Sequence, residues 1–562
     1  MDYLDWLVLV GTLVAITIYG IYRGRKATSM GNYLGGNKQL PAYHVAFSVI
    51  ATQASAITFL SAPGQAYTDG MRFIQFYFGM PLAMIVICVY FLPKYTSLNV
   101  ITAYQYLESR FDKRVKATAA TLFLLLRSLS SGLTVYAPAL VLSSVMGWNI
   151  YLSIILMGIL VITYTVSGGA EAVAHTQLQQ MTVIIIGMGI AAYMIVAKLP
   201  EQVSVYSVLQ LAAIGGKMNP ISTELNLNDK YNIWSGIIGG FFLALSYFGT
   251  DQSQVGRYLS GRNIEQSRIG LLVTGFVKIP IQFCILLIGL LLYGFYYFNP
   301  APLIFNPQAD KQMALEEHHE EYATLQHKLR VIEGRKAKLG YQLVSKTAKD
   351  DRLDDQINSL AKDESEIRKQ AKELVKKDIS AVEANDTNYI FLHFVFQHLP
   401  HGLIGLLIAV IFCASWNSTS SELNALASTT LVDILPQRLL GFNMNSVVAG
   451  KTVTALWGVF AMVVAMFAST LGSLIEAVNQ LGSLFYGTIL GIFLTALFVK
   501  TARPNGVLVA SAIAQIAVFI CFITNAIAFL WFNVLACFLV VFLSFLFSGT
   551  KKHGVFSAGP SS

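Results

Sequence analysis

Apolar runs of about twenty residues recur along this chain, parted by short polar segments, and that rhythm predicts its architecture. They fall near residues 4–22, 43–68, 74–93, 117–146, 150–168, 174–197, 232–250, 269–298, 401–432, 446–468, 474–499, 505–524 and 527–548. Each can cross a hydrocarbon layer ~30 Å thick. With no water there to satisfy backbone N–H and C=O groups, runs this apolar form helices. The pattern predicts an all-α integral membrane protein of about 13 transmembrane helices.

The rhythm stops once, between about Pro300 and Asp386. Residues 310–386 hold 32 of the chain's 70 Asp, Glu, Lys and Arg. Apolar residues recur there at helical spacing: Leu315, Tyr322, Leu325, Leu329, Ile332 and Leu339, then Leu353, Ile357, Leu360, Ile367, Leu374 and Ile379. This predicts two amphipathic helices paired as an antiparallel hairpin, turning near Ser345 to Asp351. A solvated ornament that stiffens one loop and a surface for a protein partner are both open readings.

Two apolar runs have an unusual texture. The second reads Ser48-Val-Ile-Ala-Thr-Gln-Ala-Ser-Ala-Ile-Thr-Phe-Leu-Ser-Ala-Pro-Gly, small and polar throughout, with Pro63 and Gly64 near one end. Such a helix is expected to unwind in the membrane and free carbonyls for an ion. The ninth places Asn417, Ser418, Thr419, Ser420 and Ser421 in a row. Polar groups at that depth lose water and are usually kept for binding, and a hard cation such as Na⁺ prefers oxygen ligands. Bonds back to the preceding turn, or to a neighbouring helix, are the plainer use of any one hydroxyl.

Composition agrees with a membrane protein: 55% of the 562 residues are hydrophobic and 12% charged, with a mean hydropathy of +0.57. The net charge of +8 is no nucleic-acid signal, because its basic residues sit mainly in short loops. Arg23, Arg25 and Lys26 follow the first run; Lys94, Arg110, Lys113, Arg114 and Lys116 the third; Arg257, Arg262 and Arg268 the seventh; Arg438 the ninth; Lys500 and Arg503 the eleventh; Lys551 and Lys552 the last. Thirteen crossings put all of them on one side, which the positive-inside rule makes cytoplasmic. The amino terminus is then expected outside, with the carboxyl terminus and the short tail inside. The hairpin projects outward. Cys88, Cys284, Cys413, Cys521 and Cys537 are scattered singly, with no metal or disulfide spacing. Asp2 and Asp5 replace the basic start of a cleavable signal, so the first span is expected to stay.

Leu40-Pro41, the run Ala51 to Ala56, Gly64-Gln65-Ala66-Tyr67, Tyr104 to Phe111, Ser167-Gly168-Gly169, Gln254 to Tyr258 and Asn417 to Asp433 together resemble the sodium:solute symporter family. Residues 48–68 and 401–424 resemble its bacterial sialic acid symporters in particular. The resemblance covers nearly all of the chain outside the hairpin. It implies an inverted-repeat core of five plus five helices. The organisation is then an extra span and loop over 1–42, a first part of the core over 43–299, the extracytoplasmic hairpin over 300–390, the rest of the core over 391–499, and two spans with a short tail over 500–562.

The resemblance also assigns residues. It implies a sodium site made by the carbonyls of Ala51, Ala54 and Ala414 and the side chains of Asn417 and Ser418, although a serine is usual where Asn417 stands. A second sodium in some relatives uses an aspartate that falls here at Gln177, with hydroxyls matching Ser420 and Ser421. Without that carboxylate one sodium per cycle is expected. Contacts to the organic solute fall at Gln53, Ser55, Thr58, Gln75 or Tyr77, and near Arg127; the arginine that holds a carboxylate in sialic acid symporters aligns with Ser130. Arg127 lies in an apolar run, where either a solute carboxylate or a neighbouring helix could neutralise it. Lys278 is a further intramembrane cation, for solute or for structure. At the end of the seventh run, Ser246, Tyr247, Asp251 and Gln252 could form part of an inner gate or its rim, with Asp251 itself expected at the cytoplasmic surface.

The resulting expectation is a sodium-coupled symporter that carries a small polar organic solute, such as a sugar, a sugar acid or another carboxylate, into a bacterial cell across its plasma membrane. Membrane lipid is its surroundings, nucleic acid is no partner, and no charged catalytic pair facing a cavity suggests an enzyme. A solute sensor on the same fold is a competing reading. Proton coupling is another, for which Glu422 is the residue to watch.

Overall fold

The computed structural model describes residues 1–24, 40–98, 100–313, 319–345, 351–378, 386–435, 447–468 and 473–548. Among them the chain is helical almost throughout. In order the helices are α1 (Tyr3–Gly24), α2 (Ala42–Gln53), α3 (Ala56–Asp69), α4 (Met80–Val86, carried on through Ile87–Phe91 to Leu92–Ser97), α5 (Tyr104–Arg110), α6 (Lys113–Met146) and α7 (Ile150–Ala197). Next come α8 (Val205–Ile214), α9 (Gly240–Thr250), α10 (Gln252–Tyr258), α11 (Ile264–Phe298), α12 (Pro307–Met313), α13 (His319–Ser345) and α14 (Asp351–Asp378). The last are α15 (Ile390–His398), α16 (Leu403–Thr429), α17 (Val447–Ala465), α18 (Leu474–Phe498), α19 (Pro504–Thr524) and α20 (Leu530–Leu546). Nine stretches among the described residues are long and apolar enough to cross a membrane, and four shorter apolar helices accompany them.

Two features depart from a simple succession of rods. The second apolar run is broken at Ala54 and Ser55 rather than at Pro63 and Gly64, which lie within α3. The fifth and sixth runs form one helix, α7, yet Tyr164 Oη lies 2.5 Å from Thr176 Oγ1, twelve residues further on. A straight helix would separate those residues by ~18 Å. The limbs Ile150–Ser167 and Thr176–Ala197 therefore bend back toward each other.

Small residues sort the core into two bodies. A Cβ on Gly79 would collide with the backbone of Phe241, on Gly236 and Gly240 with Gln75 and Phe76, on Gly270 with Val45, and on Gly289 with Pro63. These contacts lock α2, α3, α4, α9 and α11 together. In the same way Gly132 meets Val464, Gly158 meets Met462, Gly458 meets Ile162 and Gly187 meets Val410, which locks α6, α7, α16 and α17. Backbones this close pack well without a hydrophobic drive between helices. None of these glycines is clamped between the two bodies.

The remaining helices brace this arrangement. Gly487 and Gly491 on α18 receive Asn533, Ala536 and Val540 of α20. On α1, Asp5 Oδ1 accepts the N–H groups of Gly402 (2.6 Å) and Gly405 (3.3 Å), so a buried carboxylate caps the amino-terminal end of α16.

Helices α13 and α14 lie side by side, with Tyr322, Leu325, Leu329, Ile367, Ala371, Leu374 and Val375 buried between them and Leu303, Ile304 and Met313. Leu315, Ile379 and the turn at 346–350 lie outside the described residues. Lys336 pairs with Glu364 across the hairpin, and Arg368 Nε reaches Glu364 Oε1 at 2.9 Å. The same cations fasten it to the membrane body: Lys336 Nζ lies 4.7 Å from the Tyr297 ring centroid, and Arg368 Nη1 donates to the carbonyls of Pro302 (2.8 Å) and Leu303 (3.0 Å).

Candidate functional site

The break between α2 and α3 frees backbone oxygen. Ser55 N–H turns to the Gln53 carbonyl (3.0 Å), so the carbonyl of Ala51 loses the donor that a continuous helix would give it. Ala54 takes the inverse γ-turn conformation, with ψ of 69°, and Ser55 is extended, with ψ of 168°.

Facing this break, α16 is buried along its whole polar row. Ser418 Oγ donates to the carbonyls of Ala414 and Ser415, both at 3.1 Å, which leaves the hydroxyl's lone pairs as acceptors for a cation. Asn417 is fully buried, and neither Oδ1 nor Nδ2 has a partner among the described residues. An orphaned amide at that depth costs ~1–3 kcal/mol unless something else satisfies it. The two helices meet at this level, where Thr52 Oγ1 lies 3.2 Å from Ser421 Oγ. Amide, hydroxyl and free carbonyl oxygens are the donor set that a sodium ion needs.

Beside the break lies a cavity lined by Gln53, Ser55, Thr58, Tyr77, Arg127 and Ser418 among others. It brings together five of the residues expected to touch solute and one expected to hold sodium. Gln53 Oε1 and Ser130 Oγ are buried there with no partner among the described residues. Phe76, Tyr247, Phe248 and Tyr486 give the cavity aromatic walls.

Two expected contacts lie elsewhere. Gln75 is outside the cavity lining: its Nε2 donates to Tyr231 O (3.0 Å) and its Oε1 accepts from Ser222 N (3.2 Å), so it fastens the loop before α9. Lys278 is buried behind Tyr77, with Nζ 5.7 Å from that ring's centroid, and does not line the cavity.

Arg127 lines the cavity floor with its charge already met. Nη1 donates to Glu422 Oε1 (3.0 Å), and Nη2 to an Asp251 carboxylate oxygen and to Tyr486 Oη (2.5 Å). Tyr486 Oη donates in turn to Asp251 Oδ2 at 2.7 Å. Asp251 is thus buried and paired, not at the surface, because a guanidinium in this interior requires a carboxylate within reach. A solute carboxylate would find both terminal nitrogens engaged. The pairing rule could have found Glu422, an acid within the ninth apolar run, as a partner for Arg127, but not Asp251, which stands just past the end of the seventh. Tyr486 had no such signal.

The possible second-site residues part company. Ser420 Oγ lies 2.8 Å from Thr165 Oγ1 on α7. Ser421 meets Gln177 Nε2 (3.3 Å) and the guanidinium of Arg257, whose Nη2 donates to it at 2.9 Å. Gln177 also accepts from Ser48 Oγ at 2.5 Å. A resident cation therefore contacts the hydroxyl that a second sodium would use.

The model of the sodium:solute symporter family matches residues 33–327, just over half of the chain. The chain is 25% identical to the human sodium-coupled monocarboxylate transporter 1, over 90% of this chain and 71% of that protein. It is 24% identical to the sodium/sialic acid symporter NanT of Aliivibrio fischeri, over 98% of this chain and 94% of that one. Among solved structures, a substrate-bound, outward-open Na⁺-coupled sialic acid symporter shares the fold, with a TM-score of 0.75 and 23% identity over 97% of this chain and 98% of that chain.

Proposed function

Because the chain belongs to the sodium:solute symporter family, we propose that it imports a small polar organic solute by alternating access, drawing on the inward sodium gradient. Na⁺ is the coupling ion. The observation that carries the assignment of its site is the orphaned amide of Asn417 beside the hydroxyl of Ser418, opposite the broken helix. One sodium would lie among the carbonyls of Ala51, Ala54 and Ala414 and these two side chains, and Arg257 at Ser421 takes the place of a second. The adjoining cavity receives the solute on Gln53, Ser55, Thr58 and Tyr77.

Coupling follows if sodium favours the arrangement of the two bodies that binds solute best, because such linkage is reciprocal. Each positive charge moved inward at 100 mV contributes ~2.3 kcal/mol. The basic end of the bundle lies in the cytoplasm of a bacterial cell, the amino terminus and the hairpin outside.

Uptake into proteoliposomes tests the reading: a panel of neutral sugars, sialic acids and monocarboxylates is offered under an inward gradient of Na⁺ or of K⁺. One solute is expected to accumulate in sodium only, and Ser418→Ala to abolish that accumulation. Accumulation indifferent to sodium would replace symport with a proton-driven role, and binding without movement with a sensing one.

A further inference from the structure

We infer that the Arg127–Asp251 ion pair is the latch that closes the path from the solute cavity to the cytoplasmic face; the role rests on the transport reading above.

The pair spans the division between the two bodies. Arg127 stands on α6, and its second acid, Glu422, stands on α16 of the same body. Asp251 follows α9, in the other body, and begins α10. Among the described residues, other bonds across the divide, such as Ser48 to Gln177, Gln177 to Thr52, Thr52 to Ser421 and Arg257 to Ser421, involve hydroxyls and an amide rather than opposite charges.

The pair also lies at the right depth. On one side is the cavity, with Ser130, Thr134, Asn479 and Tyr486 in its wall. On the other is a closed layer that leads to the basic end. There Tyr104 Oη donates to Thr250 O (3.0 Å), Gln252 Oε1 accepts from Ala103 N (3.0 Å), and Thr102 Oγ1 donates to Asp433 (2.9 Å). Arg110 closes the same layer onto the carbonyls of Val499 (3.0 Å) and Lys500 (2.9 Å).

A latch must open as well as hold, and breaking a buried ion pair is usually costly because it strands a charge. Here each partner has a fallback. Arg127 keeps Glu422, whose other oxygen accepts from Thr134 Oγ1 at 3.2 Å. Asp251 keeps Ser253, whose N–H (2.8 Å) and Oγ (2.6 Å) both donate to Oδ1, the first of these at the amino terminus of α10. Neither charge is left bare when the bodies separate, so the pair can take two discrete states.

The test introduces Ser130→Cys as a reporter in the cavity wall and measures its reaction with a membrane-impermeant maleimide from each side, in inside-out and right-side-out vesicles. Labelling of the five native cysteines in the parent is subtracted. Adding Asp251→Asn is expected to speed labelling from the cytoplasmic side about tenfold, by shifting the population toward the inner-open state. The outer rate should not rise, and Asp251→Glu should stay near the parent. An unchanged cytoplasmic rate, or an equal rise from both sides, would overturn the latch. If Asp251→Asn does not fold, Tyr486→Phe decides: it strips one hydrogen bond from each partner and is expected to give a smaller rise on the cytoplasmic side, and no rise overturns the proposal. Sodium-dependent melting with and without Ser418→Ala, read on the same samples, separates a failure of the symport reading from a failure of the latch.

Discussion

Asn417 is the residue at which binding and stability pull apart most sharply. Its amide is buried with both polar atoms orphaned, a cost of ~1–3 kcal/mol that a bound ion would relieve. Asn417→Ala is therefore expected to melt no lower than the parent in sodium-free buffer, yet to lose most of the rise in Tm that sodium gives. A residue that merely packed α16 would instead lower Tm in both buffers. Gln75 behaves the other way. Its bonds to Tyr231 and Ser222 hold a loop, so Gln75→Ala should lower Tm while leaving solute affinity unchanged, measured by solute titration of the melting curve. Residue types in the sequence pointed to the row on α16 and to Arg127, because polar groups in an apolar run need a reason. They did not reveal who pays Arg127's charge, since Asp251 and Tyr486 lie 124 and 359 residues away. That pairing is a matter of how helices pack, and one sequence carries no trace of it.

At the scale of elements, the hairpin makes the clearest claims. Burial alone would raise the Glu364 carboxyl, but Lys336 and Arg368 outweigh it and hold the group at about 2. A carboxylate lowered in the fold stabilises it above its ordinary value of ~4.3 and loses that contribution as pH falls toward the lowered one. Amide hydrogen exchange in α13 and α14, corrected for the intrinsic rate at each pH, should thus be slow at pH 5 and quicken progressively as pH approaches 2. Glu364→Gln strands two buried cations, and a loss of ~3–5 kcal/mol is the usual scale for breaking such a network. The variant should exchange fast already at pH 5, and protection equal to the parent's would show the ion cluster to be ornamental. The helical spacing of Tyr322, Leu325, Leu329 and Leu374 was legible because one face of each helix is dry. The bend within α7 was not, because its limbs have ordinary apolar composition and nothing in the sequence announces the Tyr164–Thr176 contact that joins them.

For the whole molecule, the division into two glycine-locked bodies, joined by apolar packing and by polar contacts, sets what can move. Apolar rhythm announced the membrane helices, but their partition rests on small residues whose neighbours are distant in the chain, such as Gly132 against Val464 and Gly270 against Val45. Sodium bound between the bodies would act on their relative position, and with Arg257 occupying Ser421 a single ion should suffice. Initial uptake against sodium concentration is therefore expected to follow a hyperbola, and a sigmoid of order two would restore the second site. The most direct test of the account is the melting temperature of the purified protein, without solute, in increasing Na⁺ at constant ionic strength balanced with K⁺. A saturable rise in sodium is predicted, growing with concentration as linkage requires and absent in Ser418→Ala. A curve that is flat in sodium, or a rise that survives Ser418→Ala, would contradict the placement of the ion between the broken helix and α16.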